Sequence, residues 1–143
     1  MILKFVTGFV IALALGGWMP AQSQAPLHCQ VEIHKSDPNA LFIRVSDRVT
    51  NILADHKVLP DISDLKAKDL DSLVVVHILV GTDGDVRCFQ LQQGDSDLAQ
   101  RSLDAAQKWH YKPYLLNGKK VFVDTWIRFS YRKDNVEVVL QDR

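Results

Sequence analysis

The chain has 143 residues, long enough for one domain with a real apolar core. Hydrophobic residues make up 47% and charged residues 24%, ordinary proportions for a globular protein. Lys plus Arg and Asp plus Glu are equal at 17 each, so nothing points to a polyanionic partner such as nucleic acid.

The first residues stand apart. Lys4 is the only charge before Glu32, and an apolar run from Phe5 to Leu15 follows it. Gly16-Gly17 and the small residues of Ala21-Gln22-Ser23 come next. Residues 1–23 therefore read as a secretory signal peptide cut before Gln24. The alternative is an uncleaved membrane anchor, which needs about 20 apolar residues. Either reading sends the remainder to an oxidising compartment. There the two cysteines, Cys29 and Cys88, either form one disulfide or stay independent thiols.

Residues 24–60 read as an N-terminal extension. Cys29 to His34 alternates loosely, as a short strand would, and Leu41 to Val45 suggests another. Ser46 is a candidate N-cap, followed by Val49, Ile52, Leu53 and His56 at helical spacing. Pro60 ends that helix. Residues 61–143 form the main domain. A short helix is expected around Leu65 to Leu70, where Asp61, Asp64, Asp69 and Asp71 suggest a solvated face. Leu73 to Val80 is an almost unbroken apolar run, so this strand should be covered on both faces. Thr82-Asp83-Gly84-Asp85 turns the chain, with Asp83-Gly84 at the positive-φ positions, and Val86 to Gln92 returns.

Asp97 with Gln100 fits a capping box. The helix it opens puts Leu98, Ser102, Ala105, Ala106 and Trp109 on one stripe. Pro113 prevents further helix, and Asn117-Gly118 is a turn. Val121 to Tyr131 alternates strictly, so a half-buried antiparallel strand is expected. Val136 to Leu140 is a short last strand or a tail. The strand–strand–helix–strand order predicts an α+β fold, an antiparallel sheet with one helix packed across it.

None of His28, His34, His56, His77 and His110 pairs with another His or Cys at metal-ligand spacing. His77 reads as a satisfied core residue, and Asp83-x-Asp85 lacks the further ligands of a calcium loop. No Gly-x-Ser-x-Gly elbow, Cys–His pair in local context or phosphate loop occurs. No catalytic residue, cofactor or metal is expected.

One ordered pattern runs from Ser72 to Tyr131. It comprises the apolar strand, Asp83-Gly84, Val86, the helix ending at Trp109, Tyr111, Pro113, Asn117-Gly118 and the alternating strand. This resembles the C-terminal domain of TonB, the periplasmic energy transducer of Gram-negative bacteria. The family usually carries a Tyr-Pro pair after the upstream helix, where this chain has Pro60-Asp61-Ile62-Ser63. A full transducer also has a long Pro-rich spacer, and this chain holds five prolines in all, so the expectation is a freestanding TonB-like domain.

The resemblance implies a protein-binding module that engages an outer-membrane transporter, or another envelope protein, by strand addition. The strand it points to is Thr125, Trp126, Ile127, Arg128, Phe129, Ser130 and Tyr131. On the polar face of that strand Phe122, Trp126 and Arg128 are either a binding surface or packed beneath the N-terminal extension. The alternative function is a module that self-associates as a homodimer through the same edge and has lost transporter coupling.

Overall fold

Ten residues, Asp71–Val80 (β3), form the central strand of the protein, and everything else is arranged around them. The computed structural model describes residues 26–65, 70–133 and 135–141. The expected signal segment and most of the expected helix at Leu65 to Leu70 lie outside the described residues.

Chain order begins with helix α1 (His28–Ser36), strand β1 (Phe42–Arg44), helix α2 (Asp47–Leu53) and strand β2 (Ala54–His56). After β3 come β4 (Val86–Gln93), α3 (Ser96–Ala106) and β5 (His110–Tyr111). The chain then makes β6 (Leu115–Leu116), β7 (Lys119–Lys120), β8 (Phe122–Arg132) and β9 (Asn135–Val138). The main sheet runs β1-β8-β3-β4, and β9 pairs with β8 beyond the end of β1. Only β1 is parallel to its neighbour; β3, β4, β8 and β9 form an antiparallel set. The α+β class and the strand–strand–helix–strand order are as the sequence indicates. The extension also contributes a strand, because its β1 joins the main sheet beside β8.

The β3–β8 register separates two faces. Val74, Val76, Ile78 and Val80 share the inner face with Val123, Thr125, Ile127, Phe129 and Tyr131. Leu73, Val75, His77 and Leu79 share the outer face with Asp124, Trp126, Arg128 and Ser130. Helix α3 seals the inner face with Leu98, Ala99, Ser102, Ala105 and Ala106, all buried. Trp109 follows the helix, packs edge-on to Phe129 and donates Nε1–H to the Val58 carbonyl at 2.8 Å. Ser102 Oγ donates to the Leu98 carbonyl and sits 2.6 Å from the Tyr131 hydroxyl, so the polar atoms inside this core are paired.

Helix α1 lies across the outer face. Cys29 is disulfide-bonded to Cys88 of β4, and His34 meets the Phe42 ring of β1 at the opposite side of the sheet. The short strand expected at Cys29 to His34 is thus a helix. A segment running across the strands has no ladder to join, so its backbone groups must bond within the segment.

Helix α2 departs from its predicted stripe as well. Its buried residues are Asp47 and Thr50, while Val49 and Ile52 face solvent, Ile52 being 81% exposed. The helix stops at Leu53 because Ala54 already pairs with Tyr111 in the β2–β5 ladder. The capping of α3 also differs. Asp95 caps the helix by accepting from the Asp97 N–H at 3.0 Å, and Gln100 instead donates to Asp104. Asp95 wins because its backbone is extended just before the first helical turn, as a cap requires.

In the β3–β4 turn only Gly84 has positive φ, at 94°. The loop is a turn closed by the Gly84 N–H on the Gly81 carbonyl, followed by one left-handed residue, so Asp83 does not need that conformation. A Cβ at Gly84 would lie 1.8 Å from the Tyr111 carbonyl oxygen, and only glycine fits. Asn117 and Gly118 both have positive φ, as a two-residue hairpin between β6 and β7 demands.

Candidate protein-docking site

The stretch Thr125–Tyr131 lies inside the sheet. On one side β8 pairs with β3 along its whole length. On the other side β1 covers Phe122 to Asp124 and β9 covers Phe129 to Arg132. The open edge that strand addition calls for is therefore absent over Phe129 to Tyr131. Alternation alone could not reveal this, because both covering strands come from distant or weakly patterned sequence.

A short interval remains between the two covering strands. The Val45 N–H donates to the Asp124 carbonyl, and the Val139 N–H donates to the Arg128 carbonyl, each at 3.0 Å. The backbone groups of Asp124 and Arg128 thus point away from β3. By the alternation of a strand, those of Trp126 point the same way, and those of Ile127 point toward β3. No strand among the described residues pairs with Trp126 on that side.

Helix α2 stands over this interval. Thr50 Oγ1 lies 3.1 Å from Thr125 Oγ1. Asp47 accepts from Arg128 and from the Gln141 backbone N–H. Asp47, Thr50, Asn51, Arg128 and Leu140 help line a cavity of about 10 Å³ there. That is room for about one water molecule and none for a peptide. A strand can enter beside Trp126 only if β9 and the segment to Gln141 move aside.

On the outer face Phe122 stacks on Phe42 with ring centres 5.0 Å apart. Trp126 stacks on His77 at 5.0 Å, and the Arg44 guanidinium lies 5.2 Å from the Trp126 ring centre. These aromatics pack with the N-terminal extension, so of the two readings the covered one describes this structure. Arg128 turns away from them toward Asp47.

The half-buried expectation for β8 fails on this face. Asp124 and Ser130 are buried as well. Asp124 bonds to the buried His77 imidazole and to Arg44, whose Nη2 is 2.8 Å away. Burial raises the Asp124 carboxyl, but these hydrogen bonds outweigh it and hold the group below its usual value. Sequence reading placed His77 in the core; its partner Asp124 carried no local signal, since it sits 47 residues away.

A second polar cluster lies at the hairpin tip. His110 Nδ1 is 2.7 Å from Asp55, and Nε2 is 3.7 Å from Asp85. The Asp55 hydrogen bond raises the exposed His110 above the usual histidine value and lowers Asp55 in turn. The Asp83 carboxylate is occupied within its own turn, by the Asp85 N–H and by Arg87.

With two antiparallel hairpin strands, a helix across them and a third long strand in place, the family comparison is decisive. The model of the Gram-negative bacterial TonB protein C-terminal matches residues 60–132, about half of the chain. The chain belongs to the TonB C-terminal family. No curated protein and no solved structure matches it. Membership makes it a TonB-like envelope domain of energy-coupled transport, a family of interaction modules. The match covers β3, β4, α3 and β5 to β8, whereas α1, β1, α2, β2 and β9 lie outside it. The elements that crowd the interval beside Trp126 are among those outside.

Proposed function

We propose that this TonB-like domain docks an extended segment of an outer-membrane transporter, or of another envelope protein, on the outer backbone edge of Thr125–Tyr131. The observation that carries this reading is the interval at Trp126, flanked by covers that are short. β9 has four residues and β1 has three. A guest strand replacing β9 would regain its backbone hydrogen bonds at Ser130 and Arg128 and extend on to Trp126. Entry through a Sec-type signal at residues 1–23 would place the domain in the periplasm, where such partners expose their plug segments.

The test is an NMR titration of the oxidised protein with plug-segment peptides from outer-membrane transporters. Shifts at Trp126 and Arg128, with Val136 and Val138 released, are expected. No shift with any peptide would overturn the reading. Trp126→Pro removes an outward donor and spares the donors of the β3 ladder, and should abolish binding in a folded protein, whereas Trp126→Ala, which loses the same stacked ring but keeps the donor, should still bind. Ile127→Pro would break the β3 ladder and is the control for lost fold.

A further inference from the structure

The two helical covers of the sheet are held by different means. Helix α3 buries five residues. Helix α1 buries none, and its N-cap Leu27 makes no side-chain cap bond. Nine residues are fewer than the roughly 12–15 at which an isolated helix becomes even marginal in water. Besides the edge-on contact of His34 with the Phe42 ring, two anchors hold it: the buried Leu27 side chain, 2% exposed, and the Cys29–Cys88 bond. Both cysteines are only partly buried, unlike the residues that α3 seals on the inner face.

We propose that Cys29–Cys88 is a thiol–disulfide exchange site, and that its reduction by a dithiol partner releases α1 from the outer face of the sheet. In the step, one thiolate of the dithiol attacks a sulfur of the pair and expels the other as a thiolate. The second thiol of the partner then attacks the mixed disulfide. Two electrons pass to the domain, which keeps two thiols, and the partner leaves with its own disulfide. Released α1 lacks the length and the buried surface to persist as a helix. Its departure uncovers the side of the sheet that carries Leu79, Phe122 and the His77–Asp124 pair. The inner face, closed by α3, does not depend on this bond. The bond thereby sets whether one face of a docking module is covered. This goes beyond strand docking, because it concerns the opposite end of the sheet from β9.

The experiment is hydrogen exchange followed by mass spectrometry on the purified protein, oxidised and then treated with dithiothreitol. The reduced protein should show near-complete loss of protection across 28–36, at least a tenfold faster exchange, while 74–80 and 125–131 stay protected. The double variant Cys29→Ser with Cys88→Ser should reproduce the reduced pattern without any reagent. Protection of 28–36 that survives reduction would overturn the proposal. So would loss of protection in the β3–β8 strands together with α1, since the bond would then be a staple of the whole fold. Reduction that occurs only in denaturant would also overturn it.

Discussion

The inner and outer faces of one sheet are closed by different physics. On the inner face, apolar side chains of α3 meet Phe129, Ile127 and Tyr131, and burial does the work. On the outer face a nine-residue helix is fastened covalently, and there the His77–Asp124 hydrogen bond and an aromatic stack interrupt the apolar core. Area burial makes a face cooperative with the fold, whereas a bond and a few polar contacts make a cover that can be separated from it.

The contrast can be broken by mutation. Phe129→Ala on the inner face should cost about 3–5 kcal/mol, as a large cavity does, seen as a fall in urea midpoint. Asp124→Ala on the outer face should cost less, about 1–3 kcal/mol, by leaving buried His77 unpaired. That second cost has a pH signature. The folded carboxyl lies below its usual value, so its contribution is complete above about pH 4 and fades as pH falls through the folded value. Urea midpoints of parent and Asp124→Ala should therefore converge in acid, and a constant gap down to pH 2 would refute the assignment. Ser102→Ala should cost about 1 kcal/mol, because the Tyr131 hydroxyl keeps its contact with the Leu98 carbonyl.

The smallest effect belongs to neither face. His110 is raised, so its pairing with Asp55 helps the fold below the usual histidine value and is lost as pH rises through the folded value. An NMR titration should find its midpoint above that of a free histidine, and Asp55→Asn should bring it down. An unchanged midpoint in that variant would show that Asp55 is not the cause.

What the sequence made legible follows from range. The β3–β4 hairpin is written locally in an apolar run and an Asp-Gly turn, and α3 in a stripe whose members are all buried. The strand at Val121 to Tyr131 was legible as a strand, yet its neighbours were not. β1 pairs with it from 80 residues upstream, and β9 carries little pattern of its own. The same gap hid the ion pair of Asp47 with Arg128. Alternation at Cys29 to His34 misled because six residues fit either period, and the disulfide then fixed the segment across the strands. The candidate docking strand was thus located correctly as an element, while the occupancy of its edge could come only from tertiary pairing.

One further consequence belongs to the edge beside Trp126. It is bordered by a parallel strand, β1, on one flank and by an antiparallel strand, β9, on the other. Such an edge has no built-in polarity, because hydrogen bonds of either pattern already meet within a few residues of each other. A guest's direction must then be chosen by side chains, with the Trp126 ring and the Arg128 charge as the nearest discriminators. On the docking proposed above, guests of either chain sense fit this one slot.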